Sequence, residues 1–159
     1  MHRFQQFSLA PGNYDLALLI LRVWIGFSLF LGHGLEKLMH FSRMAAHFPD
    51  PIHIGAGPSL AFALLSDGIC SVLVIFGIAT RWAALIIVIN LSVVFSLVHK
   101  FTFFGPRGGE LPFVYLGCFL ALVFAGGGRF SVDAIFDASS GRRPGSEVTG
   151  EISNSLDGK

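Results

Sequence analysis

Charged residues are scarce in this sequence, and that scarcity argues against an ordinary water-soluble domain. Only 13% of the 159 residues are charged, whereas soluble domains carry roughly a quarter. The formal net charge is +1, and no run of lysine or arginine could follow a phosphate backbone, so nucleic-acid binding is not expected. The composition instead favours a protein whose outer surface faces lipid.

Cysteine is almost absent as well. Cys70 and Cys118 are the only two; both lie within apolar stretches and form no C-x-x-C motif, which argues against a zinc site or a dithiol redox motif.

The first thirteen residues lack an apolar stretch ending in a small-residue cleavage site, so no cleaved signal peptide is expected. A nucleophile–base pair, a phosphate loop and a dinucleotide fingerprint are also missing. An enzymatic role would therefore be at most that of an accessory subunit.

Long apolar stretches are what the sequence has in abundance, since 53% of its residues are hydrophobic. Each of four stretches approaches the ~20 residues that a helix needs to cross a bilayer. They predict an all-α integral membrane four-helix bundle with antiparallel, up-and-down neighbours. We expect a polar N-terminal segment at residues 1–13, the transmembrane domain at 14–138 and a flexible tail at 139–159. The predicted spans are Leu16–Leu35, Pro58–Ile78, Trp82–Val98 and Leu111–Ala125.

An even number of spans places both termini and the turn between helices 2 and 3 on one side of the membrane. Because basic residues favour the cytoplasmic side, their distribution predicts cytoplasmic termini by a small margin. The excess of basic residues on the side of the termini becomes larger if some basic residues on the other side belong to a site rather than a loop. The termini side carries Arg3, Arg81, Arg129, Arg142, Arg143 and Lys159, and the other side carries Lys37, Arg43, Lys100 and Arg107.

Ionisable residues inside the spans are the candidates for function, because an intramembrane charge is costly. Arg22 lies deep in helix 1 and requires Asp67, a carbonyl group or water as its partner. At about 100° per residue, helix 1 carries nearly all its polar residues on one stripe, provided that it continues past Gly34. That stripe contains Arg22, Gly26, His33, Glu36, Lys37 and His40.

The same arithmetic predicts which residues of the other helices face the bundle interior. It groups Asp67 with Cys70 and Ser71 on helix 2, and Ser92 and Ser96 with His99 on helix 3, leaving Asn90 on the opposite side. On helix 4, Glu110 shares a face with small residues and is expected to point inward. Small residues at four-residue spacing also predict close helix contacts; they are Ser28 and Gly32 on helix 1 and Gly117, Ala121 and Ala125 on helix 4.

The topology brings these polar residues to one layer near the predicted outer face. Asp67 could carry a proton or hold a polar ligand. His33 and His99 could ligate a haem, but histidines at helix ends are more often interfacial, so no haem or other metal is expected. The candidate ligand-binding residues are Arg22, His33, Glu36, Lys37, Asp67, His99 and Glu110.

The order of these motifs resembles the DoxX family of small bacterial four-helix membrane proteins. The resemblance runs from about Tyr14 to Ala134. The motifs are Leu21-Arg22, the run His33-Gly34-Leu35-Glu36-Lys37-Leu38, the acid Asp67, the turn Gly77–Arg81, the helix end His99, Glu110, and the ending Gly128–Ala134.

The resemblance implies a location in the bacterial inner membrane. Members of that family are similar to the small membrane subunit of thiosulfate:quinone oxidoreductase, and others are linked to oxidative-stress or sulfur-redox complexes. Arg22, His33, Lys37 and the acid of helix 2 are the positions carried over as a site. Asp67 stands where glutamate is more usual, which shortens the reach of that acid by one methylene.

Three functions remain open at this stage. The first is a redox-associated membrane subunit whose polar layer binds a quinone or another small polar ligand and relays protons. The second is a non-catalytic scaffold that anchors a redox or stress-response complex, with its charges paired internally. The third is a carrier for a small molecule or lipid, which would need an oligomer to make room. Besides the lipid bilayer, the sequence leaves a soluble redox protein and a homo-oligomer open as partners.

Overall fold

The protein is described by a computed structural model over residues 11–105 and 108–139. That part of the chain is helical and contains no strand. Helix α1 runs as an α-helix over Pro11–Leu29, a π-helical turn over Phe30–Gly34 and an α-helix over Leu35–Met39. Helix α2 has the same three parts at Ala56–Leu64, Leu65–Cys70 and Ser71–Phe76. Helix α3 is α-helical over Thr80–Val93 and ends in a π-helical turn, Val94–Val98.

Two further helices follow α3 in the described part of the chain. Helix α4 covers Glu110–Ala125, and the short helix α5 covers Val132–Ser139. A single helical turn, Phe41–Met44, lies in the loop between α1 and α2. Because α1 begins at Pro11, the predicted N-terminal segment loses its last three residues to the helix. Most of that segment, and all but Ser139 of the predicted tail, lie outside the described residues.

Within the residues that the structure describes, three helices are long and apolar enough to cross a membrane. They cover Tyr14–Met39, Ala56–Phe76 and Thr80–Val98, with 26, 21 and 19 residues. Helix α4 is apolar but shorter, at 16 residues. The prediction of an all-α membrane protein is therefore confirmed. Helix α1 also continues past Gly34, as the polar stripe required, and ends four residues beyond the predicted boundary at Leu35.

The four long helices form a ring in which each one packs against the next and α4 returns to α1. The core lies between them and consists of aliphatic and aromatic side chains such as Leu29, Val74, Ile87, Phe119 and Leu122. Many large apolar side chains point away from this core. A water-soluble protein would bury most of them, whereas lipid-facing helices expose them; examples are Trp24, Phe27, Phe76, Ile89 and Phe124.

Two glycines of α1 allow a close contact with α2. A Cβ atom at Gly34 would lie 2.3 Å from the Asp67 carbonyl oxygen, and one at Gly26 would lie 3.0 Å from the Ser71 carbonyl oxygen. Helices α1 and α2 therefore touch backbone to backbone at these glycines. Of the small residues predicted to make close helix contacts, Ser28 contacts Tyr115 of α4. The others do not make such contacts, because Gly32 and Gly117 have open space around them and Ala121 and Ala125 are exposed.

The segment that follows α4 connects the helices at the end of the bundle where α2 ends and α3 begins. Asp133 accepts hydrogen bonds from the backbone N–H groups of Ala79, at 2.6 Å, and Thr80, at 2.9 Å, and so caps the start of α3. Its own N–H donates to the carbonyl oxygen of Gly77, at 3.0 Å. Gly77 ends α2 with a φ of 73°, a conformation that suits glycine. The segment after α4 thus fixes the turn between α2 and α3.

Candidate functional site

The centre of the candidate site is an ion pair between helices α1 and α2. Lys37 Nζ lies 2.7 Å from Asp67 Oδ2, and the two side chains are only 12% and 7% exposed. Asp67 Oδ1 accepts further hydrogen bonds from Ser66 Oγ and from Asn90 Nδ2, each at 3.0 Å. Lys37 also donates to the His33 carbonyl oxygen, at 3.2 Å. Both oxygens of the buried carboxylate are therefore satisfied, as burial of a charge requires.

A cavity of about 250 Å³ lies beside this network. Most of its wall is apolar and comes from α1, α2, α3 and α4 together with the loop that follows α1. Its polar groups are few, an arrangement typical of ligand pockets. The residues that supply them are His33, Lys37, Ser59, Asp67, Asn90, His99 and Tyr115.

All three π-helical turns of the bundle reach this cavity. His33 lies within the turn of α1, Asp67 lies within the turn of α2, and the turn of α3 directly precedes His99. A π-helical turn inserts a residue into the α-helical repeat and is often found at functional sites. The turns therefore direct side chains of three helices toward one place.

The sequence reasoning missed three polar residues of the cavity, Ser59, Asn90 and Tyr115, and the error at Asn90 has a clear cause. In a regular α-helix, at about 100° per residue, Asn90 and His99 lie about 180° apart. The extra residue in the turn Val94–Val98 reduces this to about 80°, so both side chains line the cavity. Ser92 and Ser96, which the sequence grouped on one face with His99, do not line the cavity. Their hydroxyl groups donate to carbonyl oxygens of their own helix.

The loop after α1 forms one wall of the cavity, and Asp50 holds it in place. The Asp50 carboxylate accepts hydrogen bonds from the Ser59 hydroxyl, at 2.8 Å, and from the backbone N–H groups of Gly55 and Ile54, at 2.7 and 3.0 Å. Desolvation raises the pKa of Asp50, but these hydrogen bonds and the nearby His53 outweigh it and hold that pKa below its ordinary value. Asp50 is therefore ionised at neutral pH, which is the form that accepts these hydrogen bonds.

Tyr115 makes two contacts that complete the cavity wall on the α4 side. The Tyr115 hydroxyl lies 2.5 Å from Ser28 Oγ, which joins α4 to α1. The rings of Tyr115 and His33 meet edge to face, with their centroids 6.5 Å apart. These contacts hold the His33 ring against the cavity.

Three of the predicted site residues, Arg22, Glu36 and Glu110, lie outside the cavity. Arg22 is 1% exposed at the opposite end, where its Nη1 donates to the Gly127 carbonyl oxygen at 2.7 Å and its Nη2 donates to that of Phe130. A carbonyl partner, one of the three expected, is therefore confirmed. Glu36 is exposed and does not line the cavity.

The expectation that Glu110 points into the bundle is wrong. Its side chain is exposed, as are Gly117 and Ala121 on the same face. Tyr115, Phe119 and Leu122 occupy the inner face of α4 instead. Large side chains fill the core, and the small ones are left on the outside.

His33 and His99 both line the cavity, as their prediction in one polar layer required. Within residues 11–105 and 108–139, no group of three or more His, Cys, Asp or Glu side chains is arranged to hold a metal ion. Cys70 is buried beside Asp67 on the inner face of α2, as predicted, and Cys118 is partly buried.

Apolar helices that enclose a small cavity with a few polar groups near one end define a polytopic membrane protein with an internal cavity. The profile of the DoxX family matches residues 17–100, just over half of the chain, and the chain belongs to this family. Two uncharacterized proteins of Haemophilus influenzae are similar to it. One is 32% identical over 126 residues, which cover 76% of this chain and 83% of the relative.

The second relative is 31% identical over 130 residues, which cover 75% of this chain and 90% of that protein. No solved structure matches the chain. The family is thereby established, whereas the relatives carry no activity that could be transferred.

Proposed function

We propose that this protein is a membrane subunit of the bacterial inner membrane that binds a quinone headgroup in the cavity beside Lys37 and Asp67. The observation that carries the proposal is the combination of an apolar wall with hydrogen-bonding groups from four helices. A quinone ring requires an apolar slot and a donor near each carbonyl oxygen. Lys37, Asn90, His33 and Tyr115 are donors of this kind, and the aliphatic wall supplies the slot.

The size of the cavity supports a headgroup rather than a larger ligand. Its volume of about 250 Å³ lies just below the roughly 300–1,000 Å³ of most ligand pockets. An isoprenoid tail would therefore extend outside the cavity, along the apolar surface of the helices. A haem would need considerably more room than the cavity provides.

The network around Asp67 supports a role in proton transfer. Reduction of a quinone to a quinol takes up two electrons and two protons. A soluble redox protein would supply the electrons, and the ionisable groups lining the cavity would supply the protons. Asp67 holds Lys37 and Asn90 beside the ligand, so its charge positions two donors at once.

Replacement of Asp67 by Asn tests this function. The substitution removes the charge that holds Lys37, and we expect at least about a tenfold loss of affinity for a short-chain quinone, equivalent to about 1.4 kcal/mol. Binding is measured by equilibrium dialysis with the full chain in lipid nanodiscs. Glu36→Gln is the matched control, because it neutralises an acid of the same layer that lies outside the cavity.

A second variant, Asn90→Ala, removes a donor without leaving Lys37 unpaired. We expect it to weaken quinone binding while the protein remains folded by circular dichroism. If the wild type binds no quinone, or if folded Asp67→Asn and Asn90→Ala proteins bind as tightly as the wild type, the scaffold hypothesis replaces this one.

A further inference from the structure

A second concave site lies at the end of the bundle opposite the cavity. This groove, of about 580 Å³, is formed by the start of α3, the glycine-rich end of α4 and helix α5. Its floor is backbone and small side chains. Its larger residues are Arg81, Trp82, Asp133, Phe136 and Asp137.

The groove has three charged side chains. One of them is hydrogen-bonded within the protein, and the other two are available to a ligand. Asp133 is bound to the N–H groups of Ala79 and Thr80 and to the Thr80 hydroxyl. Arg81 and Asp137 are exposed, and the only ion pair recorded within the described part of the chain joins Lys37 to Asp67. The groove therefore offers one cation and one anion that do not neutralise each other by direct contact.

Arg81 is seated at a defined position in this groove. A Cβ atom at Gly126 would lie 3.1 Å from Arg81 Nε and 3.7 Å from its Nη2. Gly126 has a φ of 78°, so glycine is required there both by the backbone and by the guanidinium group. The end of α4 thus holds the arginine against the groove floor.

The rim of the groove is aromatic and exposed. Trp82 is 72% exposed and Phe136 is 65% exposed, and both lie where the membrane-spanning helices end. Aromatic side chains at this position are typical of the interface between lipid headgroups and acyl chains. The rim therefore indicates a ligand with an apolar part that continues into the bilayer.

We propose that this groove binds a zwitterionic phospholipid with a primary ammonium group, of the phosphatidylethanolamine type. Arg81 receives the phosphate, because a guanidinium group suits phosphate oxygens. Asp137 receives the ammonium group, and Trp82 and Phe136 flank the upper part of the acyl chains. A purely anionic lipid fits less well, since the two aspartates of the groove outnumber its arginine.

Native mass spectrometry of the full chain tests this site. The protein is released from nanodiscs that contain equal amounts of phosphatidylethanolamine, phosphatidylcholine and phosphatidylglycerol with identical acyl chains. We expect phosphatidylethanolamine to be retained about two- to fivefold over phosphatidylcholine, the scale of one exposed charge-assisted contact. Both headgroups are cationic, but a quaternary ammonium group cannot donate hydrogen bonds to Asp137. Asp137→Asn should abolish that preference, and Arg81→Gln should reduce retention of all three lipids.

Arg43→Gln is the matched control, since it removes an exposed arginine at the other end of the bundle. It should leave both the preference and the total retention unchanged. Equal retention of the three lipids by the wild type, or an unchanged preference in folded Asp137→Asn, would refute the site. Displacement of the lipid by soluble glycerophosphoethanolamine would instead assign the groove to a free headgroup and overturn the lipid proposal.

Discussion

At the scale of single residues, Arg22 shows what a buried charge can and cannot reveal from sequence. Its depth in a span predicts a partner, and the structure supplies two backbone carbonyls from the segment after α4. Those acceptors, Gly127 and Phe130, carry no side-chain signal that would identify them in advance. The need for a partner was predictable, but its identity depended on how the chain folds back beneath the bundle.

Replacement of Arg22 by Leu should destabilise the protein. The substitution leaves the buried carbonyl of Gly127 and the partly buried carbonyl of Phe130 without their donor. An unsatisfied buried acceptor costs about 1–3 kcal/mol. We expect the free energy of unfolding to fall by about 2–4 kcal/mol, measured by denaturant unfolding in detergent micelles.

Arg129→Gln is the control for this substitution, because Arg129 is exposed and its backbone N–H, not its side chain, bonds to Asp15. Its stability should stay within about 0.5 kcal/mol of the wild type. Equal stability of Arg22→Leu would mean that Arg22 does not hold the segment after α4.

At the scale of elements, the π-helical turns limit what could be predicted from the sequence. Hydropathy located the spans because the bilayer fixes the length of an apolar helix. The phase of each helix was predictable only over short distances, because an inserted residue shifts it. Asp67, Cys70 and Ser71 were grouped correctly because they are at most four residues apart, although the first two lie in a π-helical turn. Asn90 was misplaced because the whole turn Val94–Val98 lies between it and His99.

The contact between the turns of α1 and α2 can be tested at Gly34. A Cβ atom there would overlap the Asp67 carbonyl oxygen, so Gly34→Ala must push the two helices apart and separate Lys37 from Asp67. We expect a loss of about 1–3 kcal/mol in stability and weaker ligand binding.

Gly32→Ala is a closely matched control, because it lies two residues away in the same turn and meets nothing within 4 Å. It should leave stability unchanged or raise it by up to about 1 kcal/mol. Both variants are compared by thermal unfolding and by quinone dialysis. The contact would be unimportant if the two alanine variants behaved alike.

At the scale of the whole molecule, the structure changes the charge balance that sets orientation. Lys37 was counted among the basic residues opposite the termini, but it is buried and paired with Asp67. It therefore belongs to the site and not to a loop, and the margin that favours cytoplasmic termini widens. In that orientation the polar cavity lies toward the outer face and the groove at Arg81 lies toward the cytoplasm.

Reporter fusions after Lys159 test this orientation in a bacterial host. A green fluorescent protein fused there should fluoresce and an alkaline phosphatase should remain inactive, because only the first folds in the cytoplasm and only the second requires export. Fusions after Phe104, in the loop between α3 and α4, should give the opposite pattern. The reverse result at both positions would invert the molecule and move the proposed quinone cavity to the cytoplasmic side, where a cytoplasmic redox protein would have to deliver the electrons.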